Sequence, residues 1–164
     1  MKRSVTAKNI CEVRMSDNLE SIGYEAFSEC KDLKSISLPD SLNKIGYGAF
    51  QSTAIETIDL PDGIEVINAN TFEWCSDLRH VGLPKHLRSI NWHAFHNCEK
   101  LSDITGITST LCEIGMDAFT GCEELLDENG FIIVGNILTF YNGNERVLTI
   151  PEGVKSIGCN IQAY

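Results

Sequence analysis

The sequence predicts a solenoid of about six coils, an α/β repeat fold in which each coil of about 23 residues has short parallel β-strands and a single helical or 3₁₀ turn. One observation is an apolar pattern that recurs at this period along most of the 164 residues. Another is a column of phenylalanines at spacings of 23, 22, 23 and 24 residues: Phe27, Phe50, Phe72, Phe95 and Phe119. A fixed period of about 20–29 residues is the signature of a solenoid, because each coil buries its apolar side only against its neighbours.

The repeats cover residues 10–122 of a single predicted domain, residues 1–164. The coils begin at Ile10, Leu33, Ile55, Leu78 and Leu101. The clearest copy is coil four, residues 78–100. Coil two is one residue short, and Thr53 stands near the position that cysteine occupies in the other coils.

Coil two illustrates how the sequence of a coil predicts its structure. Serine alternates with isoleucine and leucine over residues 35–38, which is the period of two expected of a β-strand. Pro39 ends this strand because proline has no N–H to donate to a ladder. Residues 42–45 predict a second short strand, and residues 49–50 predict a single helical or 3₁₀ turn. Equivalent strands of stacked coils should pair in parallel register.

The pattern changes after coil five. Two apolar runs flank a Gly-Asn pair within residues 131–141, which is a hairpin signal. We therefore interpret residues 123–147 as a β-hairpin insertion. The repeat resumes over residues 148–164 as a partial coil, in which Gln162 stands where a phenylalanine is expected.

The composition argues against several partners. A formal charge of −10 and a pI near 4.8 should repel nucleic-acid phosphates and anionic lipid head groups, so we expect no nucleic-acid partner. No segment approaches the roughly 20 apolar residues of a membrane helix, so we expect no membrane insertion. The N-terminus has no apolar run of signal-peptide length, which leaves the localisation open.

A specific motif runs through residues 10–158: Leu-x-x-Ile-x-Leu-Pro-x-x-Leu-x-x-Ile-Gly-x-x-Ala-Phe-x-x-Cys. This motif resembles the BspA-like leucine-rich repeat family. The resemblance implies a right-handed leucine-rich-repeat solenoid used for binding, with no catalytic residues and no cofactor. Members of that family are typically found on the surfaces of bacteria and some protists, where they are associated with adhesion to host matrix proteins or to other cells.

Three hypotheses for the function follow. The first, implied by the resemblance, is a non-enzymatic binding module for cell-surface adhesion or for protein or glycan recognition. The alternative is an intracellular protein–protein interaction scaffold, which the lack of a signal-peptide run favours. The third is a metal-dependent enzyme using the histidines of coil four, and the lack of a carboxylate pair, phosphate loop or nucleophile motif argues against it.

Two columns of positions are candidate binding surfaces. The strand face consists of the outward positions on the first strand of each coil, and its candidates are Ser35, Ser37, Thr57, Asp59, His80, Asp103 and Thr105. Its small, mixed side chains suit a flat sheet offered to a partner. The aromatic column follows the second strand and contains Tyr24, Tyr47, Trp92 and Met116, with Ala69 in coil three. These residues are either hot-spot anchors, a role in which Tyr and Trp are enriched, or an outer cover for the phenylalanines.

The seven cysteines are an odd number, so at least one cannot pair within the chain. One column contains Cys30, Cys75, Cys98 and Cys122. We expect its members to pack as reduced thiols beside the phenylalanines, although adjacent rungs would lie within disulfide reach. Either Cys112 or Cys159 is expected to be an exposed thiol.

The four histidines all lie in coil four, and His93 and His96 are three residues apart near Cys98. Two histidines at this spacing are only a weak signal for zinc. We expect them to be solvated turn residues, and we expect no metal site.

The two ends of the solenoid are expected to differ. Residues 1–9 belong to no repeat and could pair as one strand over coil one. The partial coil of residues 148–164 has no comparable cover. An open strand edge is a template for association, so we predict end-to-end self-association through this coil.

Overall fold

The computed structural model describes residues 9–158 as a stack of coils. Its strands are, in chain order, β1 (Ser21–Ile22), β2 (Lys44–Ile45), β3 (Thr57–Asp59), β4 (Val66–Ile67), β5 (His80–Gly82), β6 (Ser89–Ile90), β7 (Asp103–Thr105), β8 (Glu113–Ile114), β9 (Phe131–Val134), β10 (Ile137–Tyr141) and β11 (Ser156–Ile157). Strands β3, β5 and β7 form one parallel sheet, and β4, β6 and β8 form a second. Each strand residue of these two sheets pairs with the equivalent residue of the next coil, as Ile58 does with Val81. The predicted solenoid of stacked, parallel strands is confirmed.

The phenylalanine column forms a continuous stack through the core. Neighbouring ring centroids lie 5.2 to 5.6 Å apart, and their planes differ by only 7 to 11°. From Phe50 to Phe119 the rings are at most 1% exposed. Because the rings touch in sequence, each coil depends on both of its neighbours for its core.

A single helical or 3₁₀ turn is predicted at residues 49–50, and the structure has isolated i→i−3 turns there but no helix. The N–H of Ala49 donates within its own coil to the Gly46 carbonyl at 3.2 Å. The N–H of Phe50 instead donates to the Thr71 carbonyl of the next coil at 3.0 Å. A helix would direct every N–H along its own axis, whereas this segment sends alternate N–H groups to the neighbouring coil. The only helix in the described part of the chain is a 3₁₀ helix, η1 (Glu123–Leu125).

The alternation of hydrogen bonds within one coil and to the next coil places two positions of each turn in the left-handed region of backbone conformation. The positions are Glu25, Gly48, Asn70, His93 and Asp117, and four residues later Glu29, Ser52, Trp74, Asn97 and Gly121. Their φ angles lie between 48° and 81°. Side chains other than glycine seldom adopt this region, and the hydrogen bonds between coils offset the cost.

The first strand predicted at residues 35–38 is absent from the structure. That segment and residues 10–15 of coil one run side by side without forming a ladder. Ile36 and Leu38 are consequently only half-buried. The second strands of these two coils do form, and β1 pairs with β2 in parallel.

The hairpin prediction is confirmed. Strands β9 and β10 pair antiparallel around Gly135, whose φ of 66° suits a two-residue hairpin loop. Strand β11 then pairs in parallel with β10, and β10 contacts β8. The hairpin therefore occupies a level of its own between coil five and the resumed repeat.

Several sequence predictions fall on residues outside this description. The strand predicted from residues 1–9 lies almost wholly there, as do Cys159 and Gln162. Within residues 9–158, no helix is long and apolar enough to cross a membrane.

Candidate ligand-binding surfaces

His80 lies at the centre of the strand face between two carboxylates. Its Nδ1 is 2.7 Å from Asp103 Oδ2 in coil five, and its Nε2 is 3.4 Å from Asp59 Oδ1 in coil three. Asp59 reaches the imidazole across Gly82, where a Cβ atom would collide with Asp59 Oδ1. The hydrogen bond with Asp103, supported by Asp59, raises the pKa of His80 above its ordinary value.

The flat part of the strand face extends over coils three to five. Its predicted members there are Thr57, Asp59, His80, Asp103 and Thr105. Asp59 and Asp103 are largely open to solvent, with side chains 87% and 60% exposed. Ser35 and Ser37 are not part of this sheet. They line a groove of about 490 Å³ between residues 12–17 and 35–39, so the prediction of one flat sheet is wrong in the first two coils.

The aromatic column is exposed but interrupted. Tyr24 is 72% exposed, and Tyr47, Trp92 and Met116 are between 45% and 47% exposed. Ala69, the member from coil three, is fully buried. The column therefore presents separate side chains to solvent rather than a continuous stripe.

A cluster that the sequence did not reveal lies on the turns of coils three to five. The His93 imidazole is 3.7 Å from Glu73 Oε1 through Nδ1 and 3.7 Å from Asp117 Oδ2 through Nε2. It also stacks on His96, with the ring centroids 4.7 Å apart. The prediction of solvated turn histidines is wrong, because both rings are half-buried among neighbouring turns.

Glu73 anchors this turn cluster although its side chain is almost fully buried. Its Oε2 accepts hydrogen bonds from Gln51 Nε2 and Asn70 Nδ2, both at 2.6 Å. These two donors satisfy a carboxylate that would otherwise be costly to bury. Burial, and then the neighbouring His93, lowers the pKa of His96. The Nδ1 of His96 is buried and has no hydrogen-bond partner in the described part of the chain.

Two tryptophans flank the turn cluster. The Trp74 ring lies 6.1 Å from that of His96 at 84°, and the Trp92 ring lies 5.0 Å from that of His93 at 67°. Across residues 9–158, no three histidine, cysteine, aspartate or glutamate side chains are grouped so that they could hold a metal ion. The turn cluster presents aromatic rings beside hydrogen-bonding side chains.

The buried cysteines bond to the backbone of the preceding coil. The Sγ atoms donate to the phenylalanine carbonyls of that coil: Cys75 to Phe50 at 3.0 Å, Cys98 to Phe72 at 3.1 Å and Cys122 to Phe95 at 3.1 Å. Burial raises the pKa of Cys75 to about 11 and also raises the pKa of Cys98. The predicted packing of these thiols agrees with the structure, and Cys112 is exposed.

A positional signal for the turn cluster is present in the sequence. Asn70, His93 and Asp117 share one position of the coil, and Gln51, Glu73, His96 and Thr120 share another. Comparing equivalent positions of successive coils identifies both columns. Spacing along the chain does not, because their members lie 22 to 24 residues apart.

The model of the BspA type leucine-rich repeat region matches residues 4–126 with six copies. The chain belongs to the BspA-type leucine-rich repeat family. No curated protein is significantly similar to it. The strand and turn surfaces above are therefore surfaces of BspA-type repeats.

Solved leucine-rich repeat structures resemble this BspA-type chain. A leucine-rich repeat protein of T. pallidum is 29% identical with a TM-score of 0.66, over 69% of this chain and 53% of that chain. A leucine-rich cell surface protein of Faecalibacterium prausnitzii is 22% identical with a TM-score of 0.59, over 85% and 47%. A protein of Bacteroides ovatus is 20% identical with a TM-score of 0.52, over 90% and 45%. The chain spans about half the length of these structures.

Proposed function

We propose that this chain is a non-enzymatic module that binds a protein ligand through its strand face, as part of adhesion at a cell surface. The observation that carries the proposal is the Asp59–His80–Asp103 array on a flat sheet. Its polar groups are held in place before any ligand arrives, which reduces the ordering cost of binding. The two exposed carboxylates and the −10 net charge favour a ligand with a basic surface.

The surface location is supported by the similar proteins. The F. prausnitzii structure is described as a cell surface protein. BspA-type repeats form an extended stack, and stacked coils create broad surfaces suited to large partners. A glycan is the second ligand class, which the exposed members of the aromatic column would suit because tryptophan and tyrosine present flat apolar faces.

The test is binding of the purified chain to arrayed host-matrix proteins and glycans. Two variants accompany it: the double substitution Thr57→Lys/Asp59→Lys on the strand face, and Trp92→Ala on the aromatic column. We expect saturable binding to a basic matrix protein that the lysine pair abolishes and Trp92→Ala leaves unchanged. Binding lost only in Trp92→Ala would assign recognition to the aromatic column, and no binding at all would contradict the proposal.

An intracellular protein–protein interaction scaffold is the second candidate. The column of buried, reduced thiols favours it, because disulfides are rare in reducing compartments. Cell fractionation of the source organism distinguishes the two candidates. Recovery in the cytosolic fraction alone would favour the scaffold.

End-to-end self-association is proposed at the resumed repeat. Its apolar positions Leu148, Ile150 and Ile157 are between 36% and 53% exposed. Burying them against a second copy would remove apolar surface from water. Sedimentation velocity of the parent at increasing concentration should show a dimer that Ile157→Lys removes, and a parent that stays monomeric would count against this contact.

A further inference from the structure

The one-residue shortening of coil two opens a cleft on the side of the solenoid. Two residues separate the cysteine position from the next apolar position in coils one, three and four, but Ala54 alone does so in coil two. Coils one and three therefore project beyond coil two at this point. The result is a cleft of about 390 Å³ that is open to solvent.

The walls of this side cleft combine one aromatic surface with polar groups. Its lining residues are Lys31, Ser52, Thr53, Ala54, Trp74, Ser76 and Asp77. Asp77 is fixed by Lys100, whose Nζ lies 2.6 Å from Asp77 Oδ1. Thr53 is buried and its hydroxyl lies 3.3 Å from Cys75 Sγ, which closes the floor of the cleft.

Trp74 supplies the apolar wall. Its φ of 61° lies in the left-handed region, which bulky residues rarely adopt. The indole is nonetheless 52% exposed, so burial does not account for a tryptophan at this position. The backbone N–H of Trp74 donates to the His96 carbonyl at 2.8 Å, which fixes the backbone that carries the ring.

We propose that this cleft binds a neutral pyranose residue of a glycan. A sugar ring has one apolar face, which the Trp74 indole can cover, and a rim of hydroxyls. The Lys31 ammonium donates to those hydroxyls, the Asp77 carboxylate accepts from them, and the hydroxyls of Ser52 and Ser76 do both. The −10 charge of the chain disfavours an acidic sugar. The cleft lies apart from the strand face, so sugar binding there extends the proposed binding function. An experiment can therefore disprove sugar binding in the cleft without disproving ligand binding on the strand face.

Fluorescence of a single tryptophan tests the proposal directly. The chain contains only two tryptophans, so in the Trp92→Phe variant Trp74 is the sole indole. This variant is titrated with glucose, galactose, mannose and N-acetylglucosamine, free and as short oligosaccharides, and with sialic acid as the acidic comparison. Concentrations up to about 10 mM cover Kd values near 1 mM. We expect a saturable change in emission with at least one neutral sugar. No saturable change with any of them, or a change with sialic acid alone, would overturn the proposal.

Inserting one serine between Ala54 and Ile55 provides the second arm. The insertion gives coil two the same spacing as its neighbours, so it should fill the cleft and weaken sugar binding at least about tenfold. The Trp74→Ala variant should lose sugar binding on the array, whereas His86→Ala, at an exposed turn position outside the cleft and the aromatic column, should retain it. Retained binding by the insertion variant with an unchanged circular dichroism spectrum would contradict the cleft assignment. Binding of matrix proteins, measured in parallel, reports separately on the strand face.

Discussion

Among single residues, His80 has the most distinctive environment on the strand face. Its imidazole joins carboxylates from the coils before and after its own. Sequence reasoning placed His80, Asp59 and Asp103 on one surface because strand periodicity and the repeat fix their direction. It did not show that they touch, because the reach of Asp59 depends on a glycine in the neighbouring strand.

Stability should depend on pH through His80. Its pKa is raised in the folded chain, so its contribution is complete below the ordinary value of 6.5 and is lost as the pH rises through the folded value. Urea unfolding should show that the difference in stability between the parent and His80→Gln shrinks as pH rises from about 6 to about 8. The exposed His86→Gln is the matched control. A difference that is constant across this range would contradict the coupling to Asp103.

Among elements, the strands and the hairpin follow from the sequence, whereas the turns do not. Apolar alternation and a Gly-Asn pair are local signals, and they predict β3, β5, β7 and the β9–β10 hairpin, although the same alternation at residues 35–38 forms no strand. At the phenylalanine the sequence predicts a single helical or 3₁₀ turn. Its actual form depends on hydrogen bonds to the next coil, as from Phe50 to Thr71, and no single coil encodes these. The same limit explains why Glu73 and Asp117 were missed.

Two glycines at the same position of neighbouring coils should respond oppositely to alanine. A Cβ at Gly46 would lie 2.6 Å from the carbonyl carbon of Gly23, whereas a Cβ at Gly23 would meet nothing within 4 Å. Gly46→Ala should therefore cost about 1–3 kcal/mol through overpacking. Gly23→Ala should change stability by no more than about 0.5 kcal/mol, as most surface substitutions do. Denaturant unfolding measures both, and equal effects would mean that coils one and two are not stacked in this register.

At the scale of the whole molecule, the hydrophobic core extends along the axis of the stack instead of forming one compact centre. Each coil contacts mainly the coils on either side, so damage in the middle divides the stack. The missing residue of coil two also has an effect beyond its own coil, because it changes the shape of a side wall that three coils build together. The shortening of coil two is visible in the sequence. The cleft is not, because its walls come from residues of different coils.

Phe95→Ala should cost about 3–5 kcal/mol, because it leaves a cavity between two rings that stack at 5.2 and 5.3 Å. The loss should spread, so that hydrogen exchange accelerates in coils three and five as well as in coil four. Thermal and urea unfolding measure the first effect, and exchange by mass spectrometry measures the second. A melting temperature close to that of the parent would mean that the ring stack is not continuous.

The central claim is that ligands are recognised on the strand face of the stacked coils. Isothermal titration with the matrix protein captured by the parent tests it most directly, using two charge reversals within coil five. Asp103→Lys changes the strand face, and Glu113→Lys makes the same change at an exposed position of the second sheet. We expect at least about a tenfold loss of affinity for Asp103→Lys, about 1.4 kcal/mol, and little change for Glu113→Lys. Equal losses in both variants, or a loss confined to Glu113→Lys, would contradict it.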